Sequence, residues 1–291
     1  MLAANTPRLE PAVQSYTCRM CRIFGCVAAE PTSIRNELIE GDNPLVRQSE
    51  VHDSGWGMAV YPTAEGADPK VVRFPEAAFA GGELEQATAL RGRIFSVHVR
   101  RATLGGLTLE NTHPFLLGNY SFAHNGTVIS YPRLLEPGVA RPAGETDSEA
   151  IFNYLMCHFD PGDVTGSLRR AMSAVVARSA FSGLNFLFSD GERLYAYRFG
   201  VFELHWLGRP GQLLVSSEKL TDELWHTVQQ DVLLTLDPAQ LDEPHAERLL
   251  GDELVGRAEV DRLEEQTHLR GAERGAFAAE RAARVAAAIA E

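Results

Sequence analysis

A cysteine directly behind a methionine, Met20-Cys21, can hold a nucleophile and its base in one residue once the methionine is removed. A cysteine thiol has a reference pKa of about 8.5 and an α-amine one of about 7.7 to 8.0. Near neutral pH the amine can therefore accept the thiol proton, directly or through a water. The chemistry requires a free amine, so it is closed to a chain that keeps residues 1–20 attached. Taken alone, Cys21 reads equally well as a buried strand cysteine, the reading given to Cys26 and Cys157. The spacing Cys18-x-x-Cys21 is half of a zinc site or a redox pair. No second Cys-x-x-Cys follows and no His-Glu-x-x-His occurs, so no metal or other cofactor is expected.

Other groups able to bind or polarise an amide occur downstream. His98 to Thr103 (HVRRAT) closes an apolar run and carries Arg100 and Thr103. Asn111 to Phe115 (NTHPF) holds His113, and Ala123 to Thr127 (AHNGT) holds His124, Asn125 and Gly126. Gly144 to Glu149 (GETDSE) holds Asp147. Each has a plainer reading. Asn-Gly is a favoured type I′ hairpin pair, Asp147 suits the first turn of a helix, and Arg100 and Thr103 could be surface and strand-end residues.

In this order, with Gly55-Trp56-Gly57, Asn185 to Gly191 (NFLFSDG) and Ser217 to Asp222 (SEKLTD), the motifs resemble the glutaminase domain of class II glutamine amidotransferases. The likeness runs from Met20 to Asp237 and is nearest to stand-alone members, among them γ-glutamyl amidases of thiol metabolism. It implies an α+β fold, the four-layer αββα sandwich of N-terminal-nucleophile hydrolases. It also implies roles: Cys21 as nucleophile, its α-amine as base, and Asn125 and Gly126 as the oxyanion hole. Arg100 and Thr103 would hold the α-carboxylate of a γ-glutamyl group and Asp147 its α-ammonium. His113 would shape the substrate site, and Trp56 would be a core aromatic. The sequence departs from the family where Arg101 and Leu104 replace the Trp and His of fused members. It departs again where His52-Asp53-Ser54 precedes Gly55, in place of Asp. Both departures fall on the acceptor side.

The elements that must carry these residues read as short strands with a few helices. Period-two or continuous apolar runs predict strands at 22–27, 58–61, 71–74, 94–99 and 120–123. Helices are predicted over 147–158, with Thr146 as N-cap, and near 167–178. Asp190-Gly191 predicts a hairpin between 185–189 and 193–198, and a Gly-Arg-Pro-Gly turn another between 203–207 and 213–216. Residues 1–20 read as a leader or an over-extended start, 21–240 as the amidotransferase domain, and 241–291 as a helical extension. In that extension Phe277, Ala278, Ala282, Val285 and Ile289 share one helical face.

With 291 residues, 45% hydrophobic and 23% charged, the chain has the balance of an ordinary globular protein. A net charge of −12 and no basic run beyond the pairs Arg100-Arg101 and Arg169-Arg170 argue against nucleic acid as partner. No apolar stretch approaches the ~18 residues of a membrane span, and residues 1–20 lack a secretory apolar core. A cytoplasmic enzyme acting on glutamine or another γ-glutamyl compound is the expectation. A second copy of the chain or a separate synthase is the macromolecular partner left open. The competing expectations are a silent glutaminase-like binding or regulatory module, an ammonia-donating subunit, and a zinc protein using Cys18 and Cys21.

Overall fold

A computed structural model of the protein describes residues 21–50 and 52–260. The expected leader, Cys18 and the apolar face from Phe277 to Ile289 lie outside the described residues. In chain order the strands are β1 (Arg22–Thr32), β2 (Trp56–Tyr61), β3 (Lys70–Phe74), β4 (Gly92–Val99), β5 (Phe115–Leu117), β6 (Tyr120–Asn125) and β7 (Asn185–Ser189). They continue with β8 (Leu194–Arg198), β9 (His205–Arg209), β10 (Gln212–Ser216), β11 (His226–Thr227), β12 (Val232–Asp237) and β13 (Gln240–Arg248). The α-helices are α1 (Leu45–Gln48), α2 (Glu83–Ala87), α3 (Asp147–Cys157), α4 (Val164–Arg178) and α5 (Asp252–Arg257).

Two antiparallel sheets result, in the orders β11-β9-β10-β1-β4-β2-β3 and β13-β12-β8-β7-β6-β5. Period-two alternation assigns every central strand two apolar faces, which makes a layered sandwich. In β1, Ile23 and Val27 face the second sheet, beside Ala59, Ile94, Ala123, Leu187, Leu194, Ala196 and Val215. Phe24 and Cys26 face the other way, into a layer with Trp56, Met58, Phe95, Val97, Leu38, Leu45 and Leu84. Phe122, Phe186, Phe188, Tyr195 and Tyr197 form the far face of the second sheet, covered by Ile151, Phe152 and Leu155 of α3 and Leu168, Met172 and Val175 of α4. The architecture is the αββα sandwich of the N-terminal-nucleophile hydrolases. Gly25 lies where the sheets approach most closely, since a Cβ there would run into Leu194 and Val215.

The predicted strands and hairpins recur with small shifts, and Gly191 (φ +85°) turns β7 into β8. One expectation differs from the structure, and so does one of the plainer readings weighed beside the others. The helical reading of the chain from 241 fails for 240–248, which form β13 and pair with β12 along Val232↔Arg248 to Asp237↔Gln240. Its polar composition misled, because β13 is an edge strand with one neighbour and mostly exposed side chains; charges and Pro244 suit an open edge. The local reading of Asn125-Gly126 as a hairpin turn also fails. β6 ends at Asn125, and the next pairing is an isolated bridge between Val128 and Phe181.

Candidate active site

The site forms where the inner faces of the two sheets turn polar. Along the inner face of β4 the sequence runs Ile94, Ser96, His98, then Arg100 just beyond the strand; along β1 it runs Val27, Gly25, Ile23, then Cys21 just before it. The register pairs Ile23 with His98 and Arg22 with Val99, so its continuation sets Cys21 opposite Arg100. Cys21 is buried, and its Sγ is bracketed by the backbone of Arg101: the Arg101 N–H donates to Sγ at 3.2 Å, and Sγ lies 3.3 Å from the Arg101 carbonyl oxygen. The N–H donor and the carbonyl acceptor together fix where the sulfur lies.

Arg100 is 2% exposed. Its Nη1 donates to Gly106 O at 2.9 Å and Ser54 O at 3.4 Å, and its Nη2 to Leu104 O at 2.7 Å and Gly105 O at 3.3 Å. The guanidinium thereby folds the 104–106 loop around itself. Burial lowers its pKa from the usual range, while the charges of Cys21 and Asp147 act in the opposite direction. The guanidinium thus stands within electrostatic reach of both the Cys21 thiol and the Asp147 carboxylate, the three groups coming from separate elements.

Asp147 is the first residue of α3 and is buried. Thr146 caps the helix by accepting from Glu149 N at 3.3 Å, and Glu149 reaches back to accept from Ala143 N and Gly144 N at 2.8 and 2.9 Å. This is a capping box shifted onto the preceding loop. One Asp147 oxygen accepts from Val128 N at 2.6 Å, which joins α3 to the segment after Gly126. Thr103 Oγ1 lies 3.1 Å from Thr127 Oγ1 and links the loop after β4 to the same segment.

Asn125 closes β6 on its inner face, and its Oδ1 is buried with no hydrogen-bond partner among the described residues. Gly126 lies against the backbone of Gly183, whose carbonyl a Cβ at 126 would strike. His124 secures that contact from behind: its Nε2 donates to Gly183 O at 3.1 Å and its Nδ1 accepts from Ser148 Oγ at 2.9 Å. These bonds fit a neutral ring, and burial lowers its pKa below the ordinary value, against the pull of Asp147.

His113, expected at the substrate site, is buried with its ring stacked on His98 at 4.0 Å and tilted against Phe115 at 4.5 Å. Burial drives its pKa well below 6.5 and that of His98 down to about 3, with Arg100 adding to the effect on both. Both rings are therefore neutral at physiological pH, and the His113 nitrogens have no hydrogen-bond partner among the described residues. Trp56 stacks on Phe74 at 5.2 Å inside the outer layer, as a core residue. Gly57 is required because a Cβ would strike the His113 carbonyl. Among the described residues no three His, Cys, Asp or Glu are grouped to hold a metal ion, and no helix is long and apolar enough to cross a membrane.

Sequence reasoning passed over the Arg101 backbone, Thr127 and Gly183. The first and last act through main-chain atoms that no side-chain pattern reports. Thr127 stands inside the quoted AHNGT run, so its proximity to Thr103 was a matter of geometry, not of motif.

The chain is 33% identical over 203 residues to the protein MJ1515 of Methanocaldococcus jannaschii, a match covering 65% of this chain and 54% of that one. It is 32% identical to the Escherichia coli protein YafJ over 208 residues, covering 65% and 76% respectively. The chain therefore spans little more than half the length of the first of these relatives. Among solved structures, a glutamine aminotransferase class-II domain protein from Silicibacter pomeroyi superposes with a TM-score of 0.57 at 21% identity, covering 79% of this chain and all of that one. The Bacillus subtilis glutamine phosphoribosylpyrophosphate amidotransferase superposes with a TM-score of 0.60 at 18% identity, covering 80% of this chain and 50% of that one. At these identities the superpositions establish the shared fold. Residues 20–211 match the family described as glutamine amidotransferases class-II, a span holding every residue of the site just described, and to that family the chain belongs.

Proposed function

We propose that the protein hydrolyses the γ-glutamyl amide bond of glutamine or a related γ-glutamyl compound through a thioester on Cys21. The observation that carries this reading is the β1–β4 register, which sets Cys21 opposite the buried Arg100, with the buried Asp147 carboxylate near enough to act on the same guanidinium. A γ-glutamyl group is a zwitterion with a reactive carbonyl at its far end, and it calls for a cation, an anion and a nucleophile in one place.

In the active form the chain begins at Cys21, and the α-amine takes the thiol proton. The sulfur adds to the γ-carbonyl, and negative charge gathers on its oxygen. Asn125 Nδ2 and the Gly126 N–H, at the end of β6, receive that oxyanion as hydrogen-bond donors. The carbon–nitrogen bond breaks and the departing amine carries off the proton held by the α-ammonium. Water then attacks the thioester, the carbon–sulfur bond breaks, and glutamate leaves as the thiol is restored. Arg100 and Thr103 hold the substrate α-carboxylate, with the guanidinium shared between that carboxylate and the 104–106 loop, and Asp147 holds the α-ammonium. His113 and His98 act as a neutral wall and not as bases, since burial makes it unfavourable for either ring to take up a proton.

The test compares wild type with Cys21→Ala on glutamine and on γ-glutamyl amides of varied leaving amine. The expected result is glutamate release from wild type and a loss of at least about 10³-fold in the variant. Equal release from both ends the proposal. Release of ammonia from glutamine alone, with other amides untouched, turns the reading toward an ammonia-donating subunit.

A further inference from the structure

We propose that Glu218, acting through Arg22, is a positioning residue that fixes the direction in which Cys21 presents its thiol. The inference rests on the reading of Cys21 as nucleophile and adds to it the device that aims the sulfur.

On the β4 side the ladder holds β1 as far as Arg22↔Val99, but on the β10 side it stops short of the residues next to Cys21. The pairing of β1 with β10 runs from Ala28↔Gln212 to Phe24↔Ser216 and stops there. One step further, Ser217 N donates to Ile23 O at 3.0 Å, but the Ile23 N–H goes to Ser217 Oγ at 3.1 Å. The hydroxyl stands where a carbonyl would in a continuing ladder. The chain is thereby released to turn Glu218 toward Arg22.

Arg22 is buried and is held at both ends of its guanidinium. Its Nη2 meets Glu218 Oε1 at 3.0 Å, and its Nε donates to Gln48 Oε1 at 2.7 Å. Gln48 Nε2 donates to Asn43 O at 3.0 Å, and Asn43 Nδ2 donates to Lys219 O at 3.0 Å. The bonds close a ring from Glu218 through Lys219, Asn43 and Gln48 back to Arg22. Strand geometry gives the ring its consequence. Successive side chains point to opposite faces, so clamping Arg22 into the outer layer turns Cys21 to the inner face, opposite Arg100. Buried ion pairs are poor sources of net stability, and their best-attested use is to select one arrangement over its alternatives. Burial pushes the Glu218 carboxyl above its ordinary range against the pull of Arg22, the mark of such a pair.

The test uses the purified full chain with Glu218→Ala, Glu218→Gln and Cys21→Ala. Two quantities are read: steady-state hydrolysis of a γ-glutamyl amide, and the rate at which iodoacetamide alkylates Cys21. A misaimed nucleophile lowers kcat by about tenfold or more in Glu218→Ala while KM moves by less than about threefold. Alkylation is expected to slow in parallel. Glu218→Gln, whose amide oxygen still accepts from Arg22, is expected to recover most of both. Wild-type kcat and alkylation in Glu218→Ala overturn the proposal, as does a loss that Glu218→Gln fails to recover. If Glu218→Ala does not fold, Gln48→Ala removes the other arm of the clamp and carries the same expectations. The two readings fail separately: wild-type turnover in Cys21→Ala removes the nucleophile, whereas Cys21-dependent turnover indifferent to both clamp variants removes only the clamp.

Discussion

Cys21 faces Arg100 because the antiparallel register of β1 and β4 continues one residue past each strand end. Its sulfur is met at short range by the Arg101 N–H, and the Arg100 guanidinium lies across the strand pair. Asn125 sits differently. Its Oδ1 is buried without a partner, and such a group in a folded protein calls for an explanation. The role proposed for this side chain falls on its other end, the Nδ2 donor that would meet the oxyanion. Asn125→Ala is accordingly expected to lower kcat by about 10²- to 10³-fold with little change in KM, as measured by steady-state glutamate release. An unchanged kcat, or a change confined to KM, would move Asn125 from the oxyanion to the substrate side. Gly126 acts through what it lacks. Gly126→Ala sets a methyl against the Gly183 carbonyl; overpacking of this kind costs about 1 to 3 kcal/mol, read as a lower urea midpoint together with lost activity.

At the scale of elements, α3 shows how a local rule serves a site. Thr146 caps the helix, and the residue it orients is Asp147. Thr146→Ala is expected to cost about 1 kcal/mol of stability and to raise KM for the γ-glutamyl substrate more than it lowers kcat. A stability loss with unchanged KM would separate the cap from the site. This helix and its cap were legible in the sequence, as were the strands β1, β4 and β6 and the hairpin at Asp190-Gly191. Those features rest on near-neighbour chemistry: an N-cap, a period of two, a left-handed turn. β13 was not legible, because an edge strand carries no apolar alternation to distinguish Gln240–Arg248 from an exposed helix. The hairpin reading of Asn125-Gly126 failed for a related reason. Local preference favours a turn, but β6 is flanked by β5 and β7, and the glycine is needed instead for contact with Gly183. Motif order named the residues that the functional proposal uses. It could not show that the Arg100 guanidinium is engaged by four backbone carbonyls, since that bonding depends on how the 104–106 loop folds.

At the scale of the whole molecule, the sandwich buries a polar region among its apolar layers. His98, His113 and His124 are all buried with lowered pKa, chiefly through desolvation. The sign of the linkage follows. The unfolded chain takes up protons near pH 6.5 while the folded chain does not, so stability present above that pH is lost as pH falls toward the folded value, about 3 for His98. Each such histidine contributes a slope of up to about 1.4 kcal/mol per pH unit in that window. Urea unfolding at pH 7, 6, 5 and 4 is expected to show this decline, and His98→Phe is expected to flatten it by one histidine's share; an unchanged slope in the variant would mean that His98 is protonated in the fold. The measurement closest to the central claim is intact-mass analysis of the purified protein, acid-quenched during turnover of a γ-glutamyl amide. The expected species is a chain beginning at Cys21 and carrying one γ-glutamyl group, mapped to Cys21 and removed by hydroxylamine. An active sample that retains residues 1–20, or an adduct on any other residue, would contradict it.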